Sequence, residues 1–277
     1  MSIDLHLHSR WSDGSDEPAR LVDLAVAAGL SAIALTDHDN FDGITDARTA
    51  AAGRIDFVPG VELSIEWGVG GLHLLGWWVE PDSPLDVGLV DIRTGREQRN
   101  MEMIAALNAL GYPVTYERVL QISEKGVTGR PHIAQALVEV GAVATEAEAF
   151  DRFLATGAPA YRDRQRLTME LAVSLIRESG GVAAVAHPHT VASNADGFSA
   201  AFARFAALGV TGVECWYPEY PPEQREAMAK MAARYGLVPT GGSDYHGTHK
   251  PGLAVGTGRG DLAVPDRVLE QLAARKP

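Results

Sequence analysis

The chain is poor in cysteine, in early lysine and in long apolar runs, and each shortage removes a class of protein. Cys215 is the single cysteine, so neither an intrachain disulfide framework nor a thiolate metal cluster is available. No lysine precedes Lys125, which deprives a metal-dependent amidohydrolase of the lysine that commonly bridges its metals on a central strand. The apolar stretches are short and broken by glycine or charge, well below the roughly twenty residues that a membrane span requires. Met1-Ser2-Ile3-Asp4-Leu5-His6 has no basic segment ahead of an apolar one, so the expected location is cytoplasmic. Basic residues are also in deficit, with 24 Lys+Arg against 36 Asp+Glu and a formal charge of −12. Duplex nucleic-acid binding needs a basic face, and none is legible. A site made locally positive by bound divalent cations stays open. No obligate protein partner is evident.

What is present is an alternation of element types. With 277 residues, 46% of them hydrophobic, the chain can bury enough apolar surface to offset its ordering entropy. Strand-like runs lie at Ile3–His8, Ala32–Thr36, Asp56–Leu63, Leu72–Trp78, Val182–Ala186, Val210–Trp216 and Leu237–Thr240. Helical patterns at Glu17–Ala28, Ile44–Ala52, Met169–Glu178, Ala200–Ala207 and Glu223–Tyr235 separate most of them. Nearly continuous apolar strands alternating with helices predict a covered parallel sheet, hence an α/β fold close to a closed barrel. Between Pro84 and Leu167 only helical patterns occur, at Leu85–Leu110, Glu117–Ile122, His132–Val140 and Glu146–Leu154. The predicted organisation is therefore a barrel from residues 1–84 and 167–277, with a helical lid or cap inserted at 85–166.

The histidines and carboxylates gather on that map. His6 and His8 share one face of the first strand, since side chains there repeat every two residues. Asp13 follows in Ser12-Asp13-Gly14; Asp37-His38 and Glu62 end the second and third strands; His73 lies in the fourth. His187 ends the fifth, and Asp244 and His246 follow the last. Barrel strand ends converge on one rim where active sites form. Any one such histidine can be a core residue bonded to a carbonyl. Six histidines and three acids with the same placement are hard to bury that way, because buried polar groups need partners. Imidazole and carboxylate without thiolate suit Mn²⁺, Fe²⁺ or Zn²⁺. Nine ligands exceed one ion's capacity, so two or three ions bridged by a carboxylate are expected, an arrangement suited to phosphoester hydrolysis.

The segments Asp4-Leu5-His6-Leu7-His8-Ser9, Ser12-Asp13-Gly14, Thr36-Asp37-His38-Asp39, Pro59-Gly60-Val61-Glu62, His73, Ala186-His187-Pro188 and Gly242-Ser243-Asp244-Tyr245-His246 resemble, in order, the PHP (polymerase and histidinol phosphatase) superfamily. The greatest similarity is to its bacterial branch of 3′,5′-nucleotide bisphosphatases and 5′→3′ exoribonucleases, which Gly129-Arg130-Pro131-His132 within the insertion also resembles. The resemblance implies a distorted (βα)7 barrel with an inserted helical subdomain and a site for two or three divalent cations, Mn²⁺ before Zn²⁺, Fe²⁺ or Mg²⁺. It implies that His6, His8, Glu62 and Asp244 hold one ion and that Asp13, His38 and His246 hold a second. His73 and His187 then share a third, with Glu62 as the bridge. Many relatives have histidine in place of Asp13.

Other residues are weighed on chemistry alone. Arg130, beside a helix start at Pro131, is a candidate phosphate clamp. His132 and His189 are candidates to contact phosphate or to protonate the leaving oxygen, and Ser12 is a further candidate substrate contact. Arg162, Arg164 and Arg166 read first as a solvated face, with contact to a nucleotide's other phosphate as the alternative, and His249 reads as a loop residue. Trp67, Trp77, Trp78, Trp216 and Tyr217 offer stacking surfaces but read as core, and Cys215 reads as buried and inert. The expected activity is hydrolysis of the 3′-phosphate of a 3′,5′-bisphosphonucleotide, or of a short 5′-phosphorylated oligonucleotide, by a metal-bridging hydroxide. Histidinol-phosphate phosphatase is the alternative, and amidohydrolase a weaker one.

Overall fold

The computed structural model describes residues 2–68 and 71–277. Its strands are β1 (Ser2–Asp4), β2 (Ala32–Leu35), β3 (Asp56–Glu66), β4 (Leu72–Trp77), β5 (Leu167–Thr168), β6 (Val182–Val185), β7 (Gly212–Trp216), β8 (Val238–Gly241) and β9 (Val264–Pro265). They form one sheet in the order β8-β7-β6-β4-β3-β2-β1-β9, with β5 beside β3. Past the strand ends the two open edges meet. Leu5 N–H donates to Gly241 O at 3.3 Å, Asp244 N–H to His6 O at 2.9 Å and His8 N–H to Tyr245 O at 3.0 Å. These bonds close a distorted barrel at the rim.

Helices α1 (Pro18–Ala27), α2 (Ile44–Ala51), α8 (Met169–Glu178), α9 (Ala195–Ala207), α10 (Pro222–Arg234) and α11 (Arg267–Ala273) belong to the barrel segments. In α1, Pro18 stands where its missing N–H costs nothing, and Leu21, Val22 and Ala25 form the buried face. β2 is buried along its whole length, as expected of a strand covered on both faces. Ile3, Ala34, Leu75, Trp77, Val182, Ala184 and Val238 pack together, and Trp77 Nε1 donates to Leu5 O at 3.0 Å.

Three sequence expectations are corrected. The sheet is not all parallel, because β4 is antiparallel to both β3 and β6. Only five residues separate Glu66 from Leu72, too few for a parallel crossover. Reversal of β4 places His73 at its start, on the same rim as the ends of its neighbours. Nor does β3 end at Glu62. It runs on to Glu66, so Glu62 sits mid-strand opposite Leu75. The first strand is also shorter than expected, since β1 stops at Asp4 and leaves His6 and His8 on an extended, unladdered segment.

Helices α3 (Pro84–Gly88), α4 (Val90–Ala109), α5 (Tyr116–Ser123), α6 (Arg130–Glu139) and α7 (Glu146–Ala149), with a π-helical turn at Phe150–Leu154, follow β4. Leu85, Leu89 and Ile92 pack with the barrel's outer core. Beyond them, Met103, Leu107, Val119, Ile133, Leu137 and Phe153 form a separate apolar cluster.

Gly242 shows how tightly the closure is built. A Cβ there would lie 2.4 Å from His6 Cβ and 2.5 Å from His6 N, and neither atom can give way. Gly242→Ala is expected to destabilise the protein by about 1–3 kcal/mol, the usual cost of overpacking. Thermal unfolding will read the loss, and divalent-ion retention should fall with it because His6 is displaced.

Candidate metal centre and anion pocket

Nine side chains meet at the closed rim. His6 Nε2 and His8 Nε2 are 3.1 Å apart. Glu62 Oε2 lies 3.3 and 3.0 Å from those nitrogens, and Asp244 Oδ1 lies 3.5 and 3.6 Å from them. Asp13 faces His246 Nε2 at 3.2 Å, His38 Nε2 at 3.6 Å and His8 Nδ1 at 3.6 Å. The other oxygen of Glu62, Oε1, faces His73 Nδ1 at 2.9 Å and His187 Nε2 at 3.0 Å. The two carboxylate oxygens of Glu62 thus address different imidazole groups.

This donor set fits divalent cations. His38 Nδ1 and His73 Nδ1 are buried without a hydrogen-bond partner among the described residues, although Glu62 oxygens stand 3.2 and 2.9 Å away. Lone pairs that converge without a shared proton are what a cation satisfies. Burial and the neighbouring His246 and His38 rings push His8 down to about 3, which leaves it neutral, as a ligand must be. Burial opposes ionisation of Glu62, yet His73, His38 and His6 hold it well below the usual carboxylate range.

The surroundings fix these rings. His6 Nδ1 donates to Glu214 Oε1 at 3.1 Å, and His187 N–H to Glu214 Oε2 at 2.8 Å. His246 Nδ1 donates to Asp244 O at 2.9 Å, which leaves its Nε2 free to face Asp13. Asp37 accepts from Ser9 N–H, Ser9 Oγ and Ser12 Oγ at 2.6–2.8 Å, and burial pushes it up to about 7. Asp39, His187 and Asp244 adopt left-handed φ of 51°, 24° and 49°. Their N–H groups are each bound by a site neighbour: Glu62 O, Glu214 and His6 O respectively. Such strain persists only where the surroundings over-determine it.

A cavity of about 540 Å³ opens over the cluster. Its lining includes Arg96, Arg99, Arg130, Arg164 and Arg166, all from the helical stretch that follows β4 and the return to β5. Arg99 makes no hydrogen bond or ion pair among the described residues, and its Nε is buried and unpartnered. Burial, with Arg96, Arg164 and Arg130 nearby, pushes it down to about 8. Arg130 donates to Leu154 O at 3.3 Å and lies over the Phe150 and Tyr161 rings. The lining also includes His187, His189, Tyr217, Glu219 and Lys250.

The PHP domain family model matches residues 4–155, more than half of the chain. The chain belongs to the PHP domain family. Among relatives, a 3′,5′-nucleoside bisphosphate phosphatase of Chromobacterium violaceum is 36% identical across 92% of this chain and 90% of its own. A 5′-3′ exoribonuclease of Haemophilus influenzae is 33% identical across 88% and 89%. A solved structure named as a metal-dependent phosphoesterase, from Bifidobacterium adolescentis, superposes with a TM-score of 0.86 at 29% identity, covering 99% of this chain and 96% of that one. Another, named as an amidohydrolase from Chromobacterium violaceum with bound sulfate, gives 0.87 at 34% identity, covering 99% and 97%.

Within this PHP fold the nine residues read as ligands from sequence all reach one rim, and Ser12, Arg130 and His189 line the cavity. His132 differs. It is buried, its Nδ1 accepts Gly129 N–H at 2.9 Å to cap α6, and it is not among the cavity-lining residues. Arg164 is not on a solvated face as expected; its guanidinium is buried against Asp39 at 3.2 Å. His249 lines the cavity, with Nδ1 donating to Asp13 O at 2.8 Å. Arg96, Arg99, Lys250 and Glu214 were not singled out by sequence. For Glu214 a signal existed, because a charge inside the apolar run Gly212–Trp216 must face a partner. Glu214→Gln keeps the shape but removes the charge behind His6. Loss of such a partner typically costs ten- to a hundred-fold in metal affinity, and a Mn²⁺ titration of the stripped protein is expected to show a drop of about that size.

Proposed function

We propose that this protein is a metal-dependent phosphoesterase acting on nucleotides. The favoured reaction is hydrolysis of the 3′-phosphate of a 3′,5′-bisphosphonucleotide, or of a short 5′-phosphorylated oligonucleotide. Phosphoester chemistry follows the family and its relatives, whose names include a bisphosphate phosphatase and an exoribonuclease. One observation carries the substrate choice. A cluster able to hold cations and a wall of arginines with an unpaired member share one cavity, so two phosphates of one molecule have separate places to bind.

His6, His8, Glu62 and Asp244 would hold one cation, Asp13, His38 and His246 a second, and His73 and His187 a third that shares Glu62. Mn²⁺ is the proposed metal, since imidazole and carboxylate ligands without thiolate suit it. When bound, such ions lower the pKa of water and neutralise charge on a phosphoryl group. Arg99 and Arg130 hold the phosphate that does not react, because guanidinium forks match its oxygens. His189, beside His187 at a ring separation of 5.8 Å, is the proposed donor of a proton to the departing ester oxygen. Helices α4–α7 act as the lid. No described helix is long and apolar enough to cross a membrane, and the proposed location is the cytoplasm.

Released phosphate from a 3′,5′-bisphosphonucleotide, a 5′-phosphorylated trinucleotide, histidinol phosphate and p-nitrophenyl phosphate, all with Mn²⁺, tests the reading. The first two should lead. Preference for histidinol phosphate would overturn it. Glu62→Ala is expected to abolish turnover and to lower bound metal by more than one ion, because both of its oxygens are engaged; full metal occupancy would refute the bridging role. A hydrogen bond to a charged group is worth roughly 1.5–3 kcal/mol. Arg99→Ala or Arg130→Ala should therefore cost about ten- to a hundred-fold in kcat/KM on the bisphosphate, mainly through KM. Unchanged kinetics in both variants would remove the arginine wall from substrate binding.

A further inference from the structure

Asp39 follows His38 directly and is fully buried, yet it does not line the cavity. Its N–H donates to Glu62 O at 3.0 Å, and its Oδ1 accepts Ser64 N–H at 3.3 Å, so its backbone and one oxygen are locked to β3. Its Oδ2 accepts from two arginines, Arg96 Nη2 in a short bond and Arg164 Nη2 at 3.2 Å. Its own carbonyl accepts Arg93 Nη1 at 3.3 Å. Arg93 and Arg96 lie on α4, where the helical segment leaves the barrel, and Arg164 lies where it returns at β5. Both ends of the insertion are therefore tied to one carboxylate beside the ligand cluster.

The tie is electrostatically one-sided. Asp39 neutralises one of the two arginines it anchors, and Arg99 and Arg130 have no carboxylate of their own among the described residues. The wall keeps its positive charge while its distance from His38 is fixed through a single short side chain.

We infer that Asp39 is a positioning residue that sets the span between the arginine wall and the cation cluster, so that the enzyme selects substrates by the distance between their two phosphates. The inference rests on the proposed function and deepens it. A lone phosphate ester uses only the cluster and is indifferent to the span. A doubly phosphorylated nucleotide must fit both ends at once.

The experiment compares wild type, Asp39→Asn and Asp39→Glu in the full chain loaded with Mn²⁺. It measures metal content, kcat and KM on a 3′,5′-bisphosphonucleotide and on p-nitrophenyl phosphate, and the Kd of a nucleoside 5′-monophosphate. Asp39→Asn keeps the side-chain shape and frees both arginines. It is expected to retain its metal and to lose no more than threefold on p-nitrophenyl phosphate. On the bisphosphate it should lose about ten- to a hundred-fold, mainly in KM, with a comparable weakening of the monophosphate. Asp39→Glu keeps the charge but moves it by one methylene; it too should shift the ratio between the two esters, and it serves if the asparagine variant does not fold. Equal losses on both esters together with lost metal would overturn the inference, since Asp39 would then act only through His38. A wild-type ratio in Asp39→Glu would also overturn it, because charge alone would suffice. If wild type neither prefers the bisphosphate nor binds the monophosphate, the proposed function itself fails and the inference falls with it.

Discussion

Glu62 is a buried carboxylate whose two oxygens face different sets of imidazoles, and the rest of the rim follows from making that burial tolerable. An ionised group in a protein interior is costly unless it is paired. His6, His8, His38, His73 and His187 all lie within 3.3 Å of one of its oxygens. They come from four different segments. No local piece of chain can supply such a set, so the site exists only when the barrel closes. Closure in turn depends on bonds made by the ligand segments themselves, as Asp244 N–H to His6 O shows. Fold and site are one construction here.

That coupling explains where backbone strain has accumulated. His187 and Asp244 hold left-handed conformations that cost a non-glycine residue of order 1 kcal/mol or more. Each is held by a hydrogen bond from its own N–H to a buried site residue, Glu214 for His187 and His6 for Asp244. The His187 ring then faces Glu62, and the Asp244 carboxylate faces His6 and His8. A relaxed β conformation would alternate those side chains between the barrel interior and the helices, where no cluster can form.

Much of this was legible in the sequence because strand geometry is local. Two-residue spacing put His6 and His8 on one face, and apolar runs ending in His or Asp marked the rim. What was not legible depends on pairing partners. Reversal of β4 is invisible in Leu72–Trp77 itself and shows only in the short link before it. The arginine wall was missed for a different reason. Arg96 and Arg99 are three residues apart in a charged helix, the usual pattern of a solvated face. In the fold Arg96 is buried against Asp39, and Arg99 is buried near Arg96. His132, in a motif that also contains Arg130, looked like a substrate group but is occupied with the end of its own helix.

The charge distribution completes the argument about which phosphates the site accepts. The chain carries −12 overall, yet its cavity gathers five arginines beside the ligand carboxylates, Glu146 and Glu219, with Lys250 paired to Asp244. Beyond a Debye length, about 8 Å at physiological ionic strength, the surface and the cavity act independently on a ligand. A long nucleic acid would bring many phosphates to a chain whose net charge is −12, which opposes its approach. A mononucleotide, or the end of a short strand, delivers its charges to the cavity and little elsewhere. Repulsion outside and attraction inside therefore act in the same direction. Under the proposed function, they would favour a compact, multiply phosphorylated substrate before any base or sugar contact is made.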